Sequence, residues 1–280
     1  MQKLMKLQDL IAKFAPNTQK ETTHQKDFIT INGEEVEVKL RCENCKEPTL
    51  IERSGYEYFY ECKCEKERQI QAKINRLKKY SLMGKRYENV TFENSETGTN
   101  SEFETAFNRC RKYCEVWEDV LKNGQGIYLF GDKGVGKTYL TACMANDLIK
   151  KFVLVLFTSL FEISKAVKST FNKRSQESEQ ELIDKFSQTE FLVFDDLGTE
   201  IFTKNQEDTW QQSLLFDLIN HRYNAKKPTI FSSNHSINDL VTVRGLMDKT
   251  ADRICQMSSG AVMKITGKSR RNEKAENLMF

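Results

Sequence analysis

The sequence predicts an α/β fold: a doubly wound parallel sheet, with a small cysteine-bearing module ahead of it. Three observations carry that prediction. Beyond residue 126 the short apolar runs GIYLF, VLVLFTS, FLVFDD and PTIFSSN alternate with longer segments of helical pattern, the order that buries a parallel sheet between two layers of helices. The first run leads into GDKGVGKT and then a helical stretch, the strand–loop–helix order that a phosphate-binding loop requires. Ahead of residue 80, four of the eight cysteines fall between Cys42 and Cys64, among short runs of alternating apolar residues. A boundary near residues 80–90 is expected, dividing the chain into 1–80 and 81–280.

Size and composition fit this division. A chain of 280 residues accommodates one large domain and a small one. A hydrophobic content of 39%, with 18 Phe, supports a packed core, and 30% charged residues supply wide solvated faces. No run of 18 apolar residues exists, so no membrane partner is expected. The N-terminus has no continuous apolar stretch or small-residue cleavage site, so the expected location is cytoplasmic. A net charge of +3 does not by itself imply a nucleic-acid partner.

The elements follow in order. Leu4, Leu7, Leu10, Ile11 and Phe14 recur at helical spacing over residues 2–15, predicting a short amphipathic helix that either packs on its own domain or binds a partner. Residues 16–27, with Pro16, read as a linker. In FITINGEEVEVKLRC two alternating runs flank Asn32-Gly33; both turn residues tolerate positive φ, so a hairpin is expected. YEYFYECKC reads as another strand, and Glu65 to Tyr80 as a basic helix. RYENVTFENSETGTN leads into a helix at about 101–122, and TYLTACMANDLIKKF is a helix after the phosphate loop.

The cysteines carry chemistry. Cys42-x₂-Cys45 and Cys62-x-Cys64 are two close pairs, which in a reducing compartment suit a tetrahedral Zn²⁺. Four thiolates leave no open position, so the zinc is expected to be structural. His24 lies in the linker and is a poor extra ligand, and Cys110, Cys114, Cys143 and Cys255 are expected to be ordinary buried residues.

Gly131-Asp132-Lys133-Gly134-Val135-Gly136-Lys137-Thr138, with Tyr139 following, is the nucleotide-binding stretch. The glycines let the backbone turn its N–H groups toward phosphate, and the loop opens a helix whose N-terminus is partly positive. Lys137 adds a full charge at the β- and γ-phosphates, and the Thr138 hydroxyl is a Mg²⁺ ligand. The run Phe191 to Phe194 ends in Asp195-Asp196; a buried strand then delivers Asp195 beside the metal, and Asp196 can polarise an attacking water. The acidic pair, and the lack of an N-K-x-D segment, favour ATP hydrolysis over GTP chemistry. PTIFSSN ends at Asn234, which either senses the γ-phosphate or caps a loop.

The phosphate loop, FDDLG, IFSSN and the late DKTADRI and GKSRR, in this order, resemble AAA+ ATPases of the DnaC/DnaI type, the bacterial and phage replicative helicase loaders. SLMGKRYENVTFEN, the segment LFEISKAVKSTFNKRSQESEQELIDKFSQTEFLVFDDLG and the paired cysteines extend the likeness over roughly residues 40–275. The resemblance implies a hexameric replicative DNA helicase as partner, held by residues 1–80, and self-association through the ATPase domain. It implies that Asp196 is the catalytic acid, one methylene shorter than the Glu of many relatives. It further implies that Asn234 is the first sensor, Arg253 an arginine finger acting on a neighbouring subunit, and Arg271 the second sensor, with Arg270 a close competitor. An IstB-like transposition ATPase, acting on a transposase and duplex DNA, shares the same core and is the alternative.

Residues 160–174 carry Phe161, Lys165, Lys168, Phe171, Lys173 and Arg174. Basic side chains interleaved with aromatics suit phosphates and stacked bases, and the resemblance implies that this insertion contacts single-stranded DNA. The plainer reading places the aromatics in the core and leaves the lysines on a solvated face.

Overall fold

The computed structural model describes residues 26–77, 83–95, 101–171, 178–203 and 205–270. The helix expected at 2–15, most of the linker with His24, and Lys173, Arg174 and Arg271 lie outside the described residues. The chain forms two compact units that divide between Lys66 and Glu67. This division falls inside the helix Lys63–Leu77 (α1), ahead of the boundary expected at 80/81.

The first unit is an antiparallel sheet of β1 (Asp27–Ile31), β2 (Glu34–Arg41), β3 (Pro48–Arg53) and β4 (Tyr56–Phe59), in that spatial order. The β1–β2 hairpin turns at Asn32 and Gly33, with φ of 51° and 86°, the left-handed pair that Asn-Gly adopts at low cost. Ser54-Gly55 repeats the device between β3 and β4, with φ of 53° and 79°. Strand β3, PTLIER, was not anticipated: it begins at a proline and lacks clean alternation. The core cluster of this unit is Val36, Val38 and Ile51, with Ile29 and Ile31 packed against it. Leu40, Tyr56, Tyr58, Phe59 and Tyr60 stay exposed.

The second unit holds a five-stranded parallel sheet in the order β6-β7-β8-β5-β9, from β5 (Ile127–Gly131), β6 (Val155–Thr158), β7 (Phe191–Leu197), β8 (Thr229–Ser233) and β9 (Val262–Ile265). Successive side chains leave opposite faces of each strand. Ile127, Leu129, Phe191, Val193 and Ile230 therefore enter one core, with α2 (Ser101–Glu115) and α4 (Lys137–Lys150). Tyr128, Leu192, Phe194 and Phe231 enter the other, with α5 (Leu160–Thr170), α6 (Glu179–Gln188), α7 (Gln206–Asn224), α8 (Ile237–Thr242) and α9 (Asp248–Met257). Both faces are covered, which is the doubly wound arrangement. The helix expected at 101–122 is two helices, α2 and α3 (Trp117–Asn123), and α3 is closed by Gly124 at φ 70°. Among the described residues no helix is long and apolar enough to cross a membrane.

Burial of the scattered cysteines holds for Cys110, Cys114 and Cys143 but not for Cys255, which is exposed. On α9 the buried positions are Thr250, Ala251, Ile254 and Met257, so helical spacing turns Cys255 outward. Arg222 is fully buried. Its guanidinium donates to the carbonyls of Phe186, Ser187, Thr189, Glu190 and Pro228 and to the hydroxyls of Thr189 and Thr229, tying the end of α6 to the sheet.

Candidate functional site

The site lies at the carboxyl ends of the parallel strands, where β5 has β8 on one side and β9 on the other. In open α/β sheets this is where ligands bind. The loop leaving β5 holds Gly131, Gly134 and Gly136 at φ of 150°, 87° and 106°. At Gly136 a Cβ would stand 2.6 Å from the Phe103 ring, and at Gly134 2.2 Å from the Ser269 hydroxyl, so close approach as well as backbone conformation excludes a side chain there. Asp132 and Lys133 are exposed, and Val135 is buried.

Lys137 opens α4 and is buried. Its ammonium donates to the carbonyls of Gly131 and Asp132 at 2.9 and 2.8 Å and to Oδ1 of Asn234 at 2.8 Å. Asn234, just beyond β8, is thus brought to the phosphate-loop lysine. The Thr138 hydroxyl donates to the two oxygens of Asp195 at 3.3 and 3.2 Å. A hydroxyl and a carboxylate side by side are the hard oxygen donors that Mg²⁺ takes. Ser232 of β8 also donates to Asp195. Burial pushes the Asp195 carboxyl up to about 6, while the Ser232 hydroxyl pulls the other way; a bound cation would restore the charged form. Asp196 is exposed at φ 54°, its N–H held by the Ser232 hydroxyl at 3.0 Å. Ser232 was missed in the sequence. Its role comes from β8 lying beside β7, which no local pattern announces.

Tyr139 points elsewhere: its hydroxyl donates to Ser95 at 2.6 Å, so beside the loop only its backbone is on offer. Arg270 has its N–H on the Gly134 carbonyl at 3.0 Å and its guanidinium 4.0 Å from the centre of the Phe103 ring, against the loop. β9, the strand that carries this segment to the site, was also unanticipated, because VMKI is too short to stand out. Arg253 is not brought to the phosphate loop of its own chain by any described contact. It bonds Asn220, Asp252 and Gln256 at 3.3–3.4 Å and lies 4.6 Å from the Tyr223 ring centre.

The four clustered cysteines converge. The sulfurs of Cys42, Cys45, Cys62 and Cys64 all lie within 4.8 Å of one another. Tetrahedral zinc–thiolate geometry places sulfurs about 3.8 Å apart, so the donor set fits the metal. N–H groups of Cys45 and Asn44 hold the Cys42 thiol down to about 7, and the neighbouring Cys45 sulfur pushes Cys64 up to about 11.

Phe161, Lys165 and Lys168 of α5 line one stripe with Phe171, the C-cap, at spacings of four, three and three. Phe161 and Phe171 are 65% and 59% exposed, which removes them from the core. The stripe has a member missing from the sequence reading: Trp210 of α7 meets Phe171 edge-on at 6.0 Å, with the Lys168 ammonium 5.4 Å from its ring centre. Both lysines are paired, Lys165 with Glu162 and Lys168 with Glu207, so their field is partly cancelled.

Comparisons with known proteins show the family and the fold. A family model described as IstB-like ATP binding protein matches residues 52–277. Phage-like element PBSX protein XkdC of Bacillus subtilis (strain 168) is 28% identical over 233 residues, 81% of this chain and 82% of that protein. The replicative helicase loader DnaI of the same organism is 27% identical over 182 residues, and the replicative helicase loader DnaC of Escherichia coli (strain K12) 25% over 169. These alignments take 65% and 60% of this chain, and span 56% and 64% of the two loaders. Among solved structures, the DnaC helicase loader aligns over 65% of this chain and 100% of its own with a TM-score of 0.55, and DnaI over 70% and 100% with 0.53. Both are 23% identical, which speaks to the fold. The family match runs through the phosphate loop, the acidic strand and Asn234 alike, and the chain belongs to the IstB-like ATP-binding protein family.

Proposed function

We propose that the chain is an AAA+ ATPase that loads a hexameric replicative DNA helicase onto single-stranded DNA, with ATP binding and hydrolysis governing assembly and release. The observation that carries this is the meeting of Lys137, Thr138, Asp195 and Asn234 at the ends of three strands, in a chain whose curated relatives include DnaI and DnaC.

Each residue has a task that its surroundings support. The N–H groups of Gly131 to Thr138 cradle phosphate, and Lys137 exchanges two carbonyls for phosphate oxygens, a stronger charge-assisted pairing. Magnesium, held by Thr138 and Asp195, would neutralise charge on the phosphates. Asp196, solvent-facing with its backbone fixed, orients the attacking water and takes its proton. Asn234 shares Lys137 and so reports the γ-phosphate. Arg253 acts on the γ-phosphate of a neighbouring subunit, which makes hydrolysis depend on self-association. Arg271, or Arg270 beside Gly134, is the second sensor.

Zinc on Cys42, Cys45, Cys62 and Cys64 holds the first unit together, and residues 1–80 grip the helicase. The stripe Phe161, Lys165, Lys168 and Phe171, with Trp210, takes single-stranded DNA mainly by stacking, since its lysines are already paired. The protein would work in the cytoplasm.

The test is light scattering after size exclusion with the replicative helicase of the same cell, with and without ATP·Mg²⁺. A complex of defined stoichiometry, weakened by deleting residues 1–80, is expected. Absence of a complex under every nucleotide condition would overturn the reading. A second reading, an IstB-like ATPase acting on a transposase and duplex DNA, is favoured by the family match itself. It predicts no helicase complex and ATP-dependent binding to duplex DNA.

A further inference from the structure

Beyond the phosphate contacts, the loop that follows Asp196 is tied to a distant part of the unit through Arg244. The Asp196 carbonyl accepts from the Thr199 hydroxyl at 2.6 Å and from the Thr199 N–H at 3.2 Å. The carbonyl of Thr199 in turn accepts from Nη2 of Arg244, and that of Glu200 from Nε of Arg244 at 3.1 Å. Arg244 returns the link through its own backbone, its carbonyl accepting the Phe202 N–H at 2.9 Å. Gly245 sits against the same loop: at φ 75° a Cβ there would stand 2.5 Å from the Phe202 carbonyl oxygen.

Three residues beyond Arg244, Met247 is the N-cap of α9, and its N–H is held by Gln212 at 2.9 Å. Arg253 lies on that helix. A continuous chain of hydrogen bonds and a short tether therefore runs from the hydrolysis acid to the helix bearing the finger. Thr199 is exposed, so water could satisfy its carbonyl. A rigid two-pronged guanidinium instead fixes the distance between two segments.

The surroundings of Arg244 also hold a second acceptor. Oε2 of Glu200 is buried without a partner among the described residues, and burial raises the Glu200 carboxyl while the Arg244 charge lowers it. A carboxylate is a stronger acceptor than a carbonyl, so a small shift of the loop offers the guanidinium an alternative grip. The Arg244 charge also reaches His235, the residue after Asn234. Arg244 thus stands between both loops that would face a γ-phosphate and the helix of Arg253.

We propose that Arg244 is a positioning residue that couples the hydrolysis loop to α9, so that the nucleotide state of one subunit sets the arginine finger it offers to the next. This rests on the proposed ATPase and on Arg253 acting in trans.

The test uses full-length chains carrying Arg244→Gln, Arg244→Lys, Arg253→Ala and Arg244→Gln with Arg253→Ala. Fluorescent ATP analogue affinity, KM and kcat are measured across protein concentration, with thermal melting as the check on folding. Arg244→Gln should keep nucleotide affinity and KM within about twofold and lose about 10- to 100-fold in kcat, the scale of a misplaced catalytic group. Arg244→Lys, able to reach a single carbonyl, should recover part of the loss. The double variant should fall no further than Arg253→Ala alone, because both act through one finger. Wild-type kcat in Arg244→Gln, or losses that multiply in the double variant, would overturn the coupling. If Arg244→Gln melts early, Arg244→Lys, which keeps the charge but reaches a single carbonyl, takes its place with the same non-additivity criterion. A wild-type ATPase whose specific activity does not rise with concentration would instead overturn the reading beneath it.

Discussion

Removing metal from the four-cysteine site should unfold the first unit and leave the second standing. The core cluster of the first unit is only Val36, Val38 and Ile51. Burying three such side chains contributes roughly 5–9 kcal/mol. A structural zinc bound by thiolates contributes about 10–16 kcal/mol near neutral pH, more than that apolar cluster. A zinc there would also join segments far apart in sequence, Cys42 and Cys45 after β2 with Cys62 and Cys64 at the start of α1. Without a metal, the four sulfurs, within 4.8 Å of one another, would lose that link. Elemental analysis should find one zinc per chain. Hydrogen exchange before and after chelation should show amides of 27–59 moving to near-unprotected rates, while β5, β7 and β8 keep theirs. Cys64→Ser should give the same pattern in zinc-containing buffer. A metal-free protein that keeps full protection over 27–59 would refute the reasoning, and so would a native protein that carries no zinc.

Other expectations are more local. Gly136→Ala places a Cβ 2.6 Å from the Phe103 ring at φ 106°, and should lower ATP-analogue affinity at least tenfold in titration calorimetry while the fold persists. Arg222→Met leaves five carbonyls without their guanidinium; a loss of about 3 kcal/mol or more is expected, seen as a fall of about 6–12 °C in the melting of the second unit. Trp210→Ala should weaken single-stranded DNA by about 1–3 kcal/mol in fluorescence anisotropy. Because Lys165 and Lys168 are already paired with acids, Lys168→Ala should change the salt dependence of binding by less than one phosphate contact.

The sequence by itself determined what is contiguous. Strand, glycine loop and lysine stand side by side in YLFGDKGVGKT, so the strand–loop–helix order around the lysine was legible. Asn32-Gly33 announced its hairpin because a two-residue turn with both φ positive leaves few other choices. The acid pair could be read because an apolar run must end where the chain leaves the core. Helices with strong periodicity were placed, although the break between α2 and α3 was not, since apolar spacing runs on through residues 113–120.

Only the tertiary structure decided which of these pieces meet. Neighbours in a parallel sheet come from crossovers of many residues, and their order leaves no local trace. The order β6-β7-β8-β5-β9 places Ser232 against Asp195, Asn234 against Lys137 and Arg270 against Gly134. In the same way, packing of α7 beside α5 brought Trp210 to Phe171, and the turn of α9 exposed Cys255. Arg222, polar by type and wholly buried by position, marks the limit of reading by residue class. A side chain with five donors can be interior when enough carbonyls surround it, and carbonyls gather only once the chain has folded.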